Sequence, residues 1–269
     1  MFTGVSELPE YPPKTYRVLF TTALEAPARE AHAALAFTTF FGMWDVTTGE
    51  REFRRAIELS STNPVTHHWW ANALLCLHRL PEAHAQIDLA EKLDPSSAAI
   101  LADKGNILSI MGLQAEAIRL LQGMEQRDPS FRSPHIYLAG AYYRSQDYSS
   151  YLYELRQDGL LMHSKSALAI ASAGEKGLEQ GGPQGMFRAM LQVQKQLYSQ
   201  HLLSPTALAQ AYASSGDKAG ALRYLQEAYT QHDDLLLFAD ILPELSKLHD
   251  ESEFGELMAK MSLTVPGER

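Results

Sequence analysis

The side chains best suited to chemistry in this chain are its ten histidines and its single cysteine. His67 and His68 are adjacent, and His78 and His84 follow closely. Zinc sites need ligands that converge on one point, typically a pair four residues apart on a helix or a Cys-x-x-Cys string. Adjacent residues on a helix instead point about 100° apart, and no second pair stands at ligand spacing. The pattern predicts structural or surface histidines and no metal site.

The single cysteine, Cys76, lies in the apolar string NALLCLHRL. A nucleophilic thiolate needs a neighbouring base and a lowered pKa, and nothing in the sequence supplies them. A phosphate-binding glycine loop, a His-Glu-x-x-His string and a Gly-x-Ser-x-Gly elbow are also absent from the sequence. We therefore expect no catalytic residue, no cofactor and no enzyme. The alternative is an active site assembled on the folded array, with turnover that depends on residues such as His68 or Cys76.

Composition and charge argue against several classes of partner. The formal net charge is −9 with no long basic run, whereas binding to nucleic acid rests on clustered Lys and Arg. The longest uncharged apolar run, 33–44, is shorter than the ~20 residues that span a bilayer. The first residues, MFTGVSELPEYPPKTYR, lack the basic start and apolar core of a signal peptide. We expect a soluble, cytoplasmic, helical protein without membrane or direct nucleic-acid contacts, and one cysteine is compatible with a reducing compartment.

The elements that position these residues are helices that recur at an interval of 34 residues, in units that close at Asp94-Pro95 and Asp128-Pro129. One position of the first helix is mostly small: Phe37, Ala71, Gly105 and Ala139. Three residues on, the position is always large: Phe40, Leu74, Leu108 and Tyr142. A small side chain lets two antiparallel helices approach closely, and large residues one turn away fill the flanking gaps. The pattern predicts stacked helix pairs.

This order of small and large residues, closed by proline, resembles the tetratricopeptide repeat. The segments that match are 30–61, 64–95, 98–129, 132–163 and 202–234. A degenerate unit at 166–200 should form helices over 165–178 and 183–199, with Gly181-Gly182 in the turn. The resemblance implies an all-α solenoid of antiparallel helix pairs.

We expect three parts along the chain: an N-terminal segment (1–29), a repeat array of about six helix pairs (30–235), and a capping helix with a tail (236–269). Residues 13–24 have the pattern of the second helix of a repeat whose first helix is missing, so we expect a fragment of a longer protein. After a turn at Leu242-Pro243, residues 252–261 should form the capping helix that covers the last pair.

Four strings carry a narrower resemblance: APAREAHAALAFTTFFGMWD, GEREFRRAIEL, THHWWANALLCLHRLPEA and SPTALAQAYASSGDKAGALRYLQEAY. They resemble the C-terminal repeat region of bacterial winged-helix transcriptional regulators of the cadaverine-response type, over roughly residues 11–263. Similar regions follow bacterial serine/threonine kinase and cyclase domains. The resemblance implies a regulatory, signalling module whose DNA-binding part lies N-terminal to Met1.

In a solenoid, the first helices of successive pairs line the concave side. We predict ligand-binding residues on that side: His68, Asn72, Leu75, Asn106, Tyr143 and Arg144. Asn72 and Asn106 stand one period apart and could hydrogen-bond a peptide backbone in register, while Arg144 could attract a carboxylate. The sequence thus predicts a non-catalytic protein-interaction or signal-sensing module for a protein or peptide ligand, with self-association as a further partner. A purely structural oligomerisation scaffold is the remaining alternative.

Overall fold

The computed structural model describes residues 28–263, and every element in this range is helical. The α-helices are α1 (Ala28–Phe37), α2 (Val46–Leu59), α3 (Pro64–Cys76), α4 (Leu80–Leu93), α5 (Ala98–Ile110), α6 (Gln114–Arg127), α7 (Arg132–Arg144), α8 (Tyr148–Leu161), α9 (Lys165–Ser199), α10 (Pro205–Ser215), α11 (Lys218–Gln231) and α12 (Ser252–Lys260). The helix predicted over 13–24 lies outside the described residues.

Local sequence explains where these helices begin and end. Asn63 caps α3, because its side-chain oxygen accepts the backbone N–H of Val65 at 3.0 Å, and Pro64 fits the first turn. Asp94 and Asp128 terminate α4 and α6 with φ of −140° and −142°. The proline after each aspartate disfavours the helical conformation in the residue before it. The Asp-Pro dipeptide is therefore the stop signal of the second and third helix pairs.

The helices pack as antiparallel pairs, and successive pairs stack on one another. The pairs are α1/α2, α3/α4, α5/α6, α7/α8 and α10/α11, with α4 against α5 and α6 against α7. At Gly105 a Cβ atom would lie 2.6 Å from Cγ of Leu121, so the close approach of α5 and α6 requires glycine. Ala71 and Ala209 occupy the matching positions of other pairs and are fully buried. The predicted class, an all-α solenoid of the tetratricopeptide-repeat type, is confirmed.

The first pair departs from the predicted register by one residue. A π-helical turn, Thr38–Gly42, follows α1 and absorbs one extra residue. Upstream of this turn Ala36, not Phe37, is the fully buried small residue, while Phe37 is partly buried and packs on Trp69 with 4.8 Å between ring centroids. The alignment of Phe37 with the small residues of the other pairs is therefore wrong, because the insertion shifts α1 against them.

The degenerate unit, α9, consists of two helical arms separated by a kink at Gly181-Gly182. Gly182 has φ of 60° and ψ of −158°, a conformation that is open essentially to glycine alone. The two arms then meet closely, since a Cβ on Gly177 would lie 2.5 Å from the carbonyl oxygen of Gly185. The arms thus form a tight helix pair in which glycines replace the usual alanines.

After α11 the chain crosses the inner surface formed by α1, α3, α5 and α7. We call this part, residues 233–249, the C-terminal segment; it contains two short 3-10 helices, Asp234–Phe238 and Pro243–Leu248. Four of its leucines are at most 1% exposed: Leu236, Leu237, Leu245 and Leu248. The Phe238 ring stacks on Phe41 of the first pair at 6.3 Å. The C-terminal segment thereby joins the core of the earliest helices, and α12 follows where the sequence predicts a capping helix.

Candidate functional site

The inner helices and the C-terminal segment enclose a cavity of about 460 Å³, which we call the inner cavity. Its walls come from α1, α3, α5 and α7 on one side and from the C-terminal segment on the other. The lining includes Phe37, Phe41, Asn72, Leu75, Asn106, Ile110, Ile136, Tyr137, Gly140, Arg144, Leu235, Phe238, Ile241 and Leu242. Four of the six predicted binding residues are thus brought together, namely Asn72, Leu75, Asn106 and Arg144, whereas His68 and Tyr143 do not line this cavity.

Asp103, which is not among the predicted binding residues, is the polar centre of the inner surface. Its Oδ2 accepts hydrogen bonds from His68 Nε2 at 2.5 Å and from Asn72 Nδ2 at 2.7 Å, and its Oδ1 accepts one from the Tyr137 hydroxyl at 2.5 Å. Burial raises the pKa of this carboxyl, but the hydrogen bonds from His68, Tyr137 and Asn72 outweigh burial and lower its pKa. Asp103 therefore ties α3, α5 and α7 together.

A signal for Asp103 was present in the repeat register. Asp103 stands 34 residues after Trp69 and 34 before Tyr137, so these three residues occupy the same repeat position beside the predicted groove. His68 consequently has a partner within the protein. It supports the inner surface through Asp103 and is not one of the side chains that line the inner cavity.

Arg144 is engaged by the chain itself. Its Nη2 donates a hydrogen bond of 2.7 Å to the carbonyl oxygen of Ile241, and its Nη1 lies 3.4 Å from the Ser109 hydroxyl. Burial lowers the pKa of Arg144, with the charge of Glu244 acting in the opposite direction. Arg144 thus anchors the C-terminal segment, and the expectation that its guanidinium attracts a ligand carboxylate is not supported by these contacts.

Tyr143 lies deeper than predicted. Its hydroxyl is 3.0 Å from the Ser214 hydroxyl of α10, and its ring meets Tyr151 edge-on at 5.5 Å. Burial raises the pKa of Tyr143. This side chain joins α7 to α10 across the inner surface, so its role in the structure is packing between distant pairs.

The side chains of Asn106 and Leu75 remain at the wall of the inner cavity. Leu75 is 1% exposed and contributes an apolar surface. The Asn106 amide is partly exposed and makes no hydrogen bond to another residue within 28–263. The cavity therefore offers apolar walls and one uncommitted amide that can both donate and accept hydrogen bonds.

The other residues considered for chemistry, Cys76, His67 and Trp70, are buried and packed within the fold. Burial raises the pKa of the Cys76 thiol, which is fully buried and thus unsuited to nucleophilic attack. His67 is buried, with Nδ1 2.6 Å from the Gln86 side-chain oxygen and Nε2 3.0 Å from the Ser61 carbonyl. Trp70 stacks on Phe53 of the preceding pair at 5.3 Å.

Within residues 28–263, none of the helices combines the length and the apolar character that crossing a lipid bilayer demands.

The arrangement of stacked pairs defines a solenoid of the tetratricopeptide-repeat type with a cavity on its inner side. Among solved structures, it is similar to YrrB, a tetratricopeptide-repeat protein described as having an unusual peptide-binding site. The two share 19% identity and a TM-score of 0.40, over 69% of this chain and 95% of that chain. It is also similar to a tetratricopeptide repeat protein from Parabacteroides merdae, at 13% identity and a TM-score of 0.47, over 93% and 100% of the two chains. Both likenesses concern the fold alone. No protein-family model and no curated protein sequence matches the chain.

Proposed function

We propose that this chain is a non-catalytic protein-interaction module that holds its partner at the inner cavity. The observation that carries the proposal is the cavity itself, which combines about 460 Å³ of space, apolar walls and the uncommitted amide of Asn106. Ligand pockets in proteins have this size and this mixture of apolar surface with a few placed polar groups.

The chemistry of the walls specifies what the partner presents. Ile110, Leu75 and Phe238 favour an apolar side chain, and Asn106 can hydrogen-bond the backbone that carries it. Arg144 is held by the Ile241 carbonyl, Asp234 lies at the same cavity, and the chain carries a net charge of −9. An uncharged or basic peptide with an apolar anchor is therefore the favoured ligand, and an acidic one is disfavoured.

The C-terminal segment limits the length of peptide that can enter. Burying one leucine side chain stabilises a fold by about 1.5–3 kcal/mol, so the four buried leucines of the segment contribute roughly 6–12 kcal/mol together. This loss of apolar burial opposes displacement of the segment, although the released residues would regain conformational entropy. We therefore place the partner in the cavity that the segment leaves open.

The parent protein that we propose is a bacterial winged-helix transcriptional regulator, with this chain as its cytoplasmic regulatory repeat region. The support comes from the strings around residues 26–45, 49–59, 66–83 and 204–229, which resemble those of such regulators. In that setting, occupation of the inner cavity would be the regulatory signal.

A non-enzymatic role is consistent with the burial and hydrogen bonding of Cys76, His67 and His68. Cys76 is fully buried with a raised pKa, and His67 and His68 both have partners within the fold. Catalysis needs a nucleophile or base that reaches its substrate, and these three side chains are occupied by the fold.

The test is a selection of peptides from a random library displayed on phage, followed by calorimetric titration of the selected peptides. Ile136 is 40% exposed at the cavity, so Ile136→Glu places a charge there without disturbing the core. Leu113 is 44% exposed in the turn between α5 and α6 and does not line the cavity, so Leu113→Glu is the matched control. We expect Ile136→Glu to abolish binding and Leu113→Glu to retain it.

Asn106→Ala tests the amide separately. Loss of one hydrogen bond of this kind should weaken binding by about 1 kcal/mol, close to fivefold in Kd. The double change Asn72→Ala with Asn106→Ala should weaken binding by about 1–3 kcal/mol, but Asn72 also supports Asp103, so the single variant isolates binding from folding. Selected peptides that bind the Ile136→Glu and Leu113→Glu variants equally well would exclude the inner cavity as the site.

A further inference from the structure

A cluster of one histidine and two glutamates lies outside the inner cavity, at the junction of α6, α7 and α8. One ligand atom from each of Glu125, His135 and Glu154 lies within 4.8 Å of the other two. His135 Nδ1 is 2.7 Å from Glu154 Oε2 and 3.7 Å from Glu125 Oε1. The side chains of His135 and Glu154 are 3% and 4% exposed, and that of Glu125 is 22% exposed.

The histidine at this place belongs to a recurring structural pair. In the first pair of helices His32 Nδ1 contacts Glu52, and in the second His67 Nδ1 contacts Gln86, each at 2.6 Å. The neutral Gln86 shows that the pair itself requires one acceptor and no charge. Only at His135, among these three, does a second carboxylate reach the same nitrogen.

The second carboxylate leaves an unbalanced charge. Two carboxylates face one imidazole, and within residues 28–263 no lysine or arginine nitrogen lies within 4.0 Å of either carboxylate. Even a protonated imidazole balances only one of the two carboxylates, and the remaining negative charge lies beside the buried Glu154 and the 22% exposed Glu125, where incomplete hydration makes it costly. A divalent cation would neutralise the two carboxylates without a lysine or arginine.

We infer that Glu125, His135 and Glu154 form a binding site for a divalent transition-metal ion of the zinc type. One nitrogen and two carboxylate oxygens are ligands that Zn²⁺ accepts, at about 2.0–2.2 Å, with water in the fourth position. The metal takes the place of the proton that Nδ1 and Glu154 share, and that proton leaves to solvent. The partly exposed Glu125 gives the ion and the water access.

The backbone already orients the second ring nitrogen of His135, as it does at His67, where Nε2 lies 3.0 Å from the Ser61 carbonyl oxygen. In His135, Nε2 lies 3.3 Å from the Pro129 carbonyl oxygen. A histidine that binds metal through one nitrogen commonly donates the other N–H to a backbone carbonyl, which fixes the ring orientation. Because the three ligands come from α6, α7 and α8, a bound ion would tie the third helix pair to the fourth.

The test is calorimetric titration of Zn²⁺ into the full chain after treatment with a chelator. We expect one saturable site whose Kd rises at least about tenfold in Glu125→Gln and in Glu154→Gln. Both variants should fold, because Glu154→Gln reproduces the His67–Gln86 pair and Glu125 lies 3.7 Å from the ring. Glu52→Gln, in the first pair, is the matched control and should leave the Kd unchanged.

Anomalous scattering at the zinc edge then locates the ion in crystals of the loaded protein. The inference holds if the ion lies among Glu125 Oε1, His135 Nδ1 and Glu154 Oε2. It is overturned if the protein shows no saturable Zn²⁺ binding, if both variants bind as the parent does, or if the ion is found at another histidine.

Discussion

Gly105→Ala is the most direct test of the packing between α5 and α6. The new Cβ would lie 2.6 Å from both Cγ and Cδ2 of Leu121, which is fully buried, so one of the two side chains must shift. Overpacking of a core costs about 1–3 kcal/mol, whereas alanine gains about 1 kcal/mol over glycine in a helix. The net expectation is a loss of roughly 0–2 kcal/mol.

Gly123→Ala separates the two contributions. Gly123 lies in α6, and a Cβ there would meet no atom within 4 Å. This control should gain up to about 1 kcal/mol from helix propensity alone. The difference between the two alanine variants therefore measures the clash, about 1–3 kcal/mol.

The assay is thermal unfolding followed by far-UV circular dichroism. For a chain of this size, 1 kcal/mol moves the Tm by roughly 2–4 °C, so the two variants should differ by roughly 2–12 °C with Gly123→Ala the higher. Gly105→Leu should cost more, about 2–4 kcal/mol. Equal melting temperatures for the two alanine variants would refute the close approach of α5 and α6.

Three further outcomes follow from buried groups. Asp103→Asn should lower the free energy of unfolding, measured in urea, by about 1.5–3 kcal/mol. Folding lowers the pKa of Asp103, so this carboxylate stabilises the wild-type fold above its ordinary pKa of 3.8. That stabilisation is lost as pH falls through the folded-state pKa. Burial raises the pKa of Glu244, so the folded state binds the extra proton and wild-type stability should fall as pH rises from 4.5 through the folded-state pKa. Glu244→Gln should remove that slope and raise the Tm at neutral pH, and an unchanged slope would assign it to another group. Cys76 should react with a thiol reagent only at the rate at which the fold opens, and rapid labelling under native conditions would contradict its burial.

The repeat architecture could be predicted from the sequence because its determinants are local. Gly105 and Ala71 mark where helices approach, and Asp94 with its following proline marks where a helix ends. The π-helical turn could not be predicted in the same way. It lies in the uncharged string LAFTTFFGM, which is apolar apart from Thr38 and Thr39, so an inserted residue leaves no clear break in the helical pattern.

The candidate site could be predicted only in part, because one wall of the inner cavity is the C-terminal segment, which does not follow the 34-residue repeat. Asn72 and Asn106 follow from the repeat register, and Asp103 stands at a neighbouring register position. The contact between Arg144 and Ile241 joins residues 97 positions apart. Such a contact depends on how the whole array curves. The sequence therefore could not reveal that the Arg144 guanidinium is already hydrogen-bonded to the Ile241 carbonyl oxygen.

The passage of the C-terminal segment over the inner surface has a consequence for how the molecule unfolds. A linear array can fray from either end, since each repeat touches only its neighbours. Here the buried residues of the first helices, such as Ala36 and Leu75, share one core with Leu236 and Leu248. Detaching the C-terminal segment would expose apolar residues of the first pair as well as the last. Partial unfolding from the C-terminal end therefore gains little conformational entropy while it exposes a large apolar surface. The first and last helix pairs should therefore unfold together, and a repeat could be deleted or duplicated only by breaking this closure.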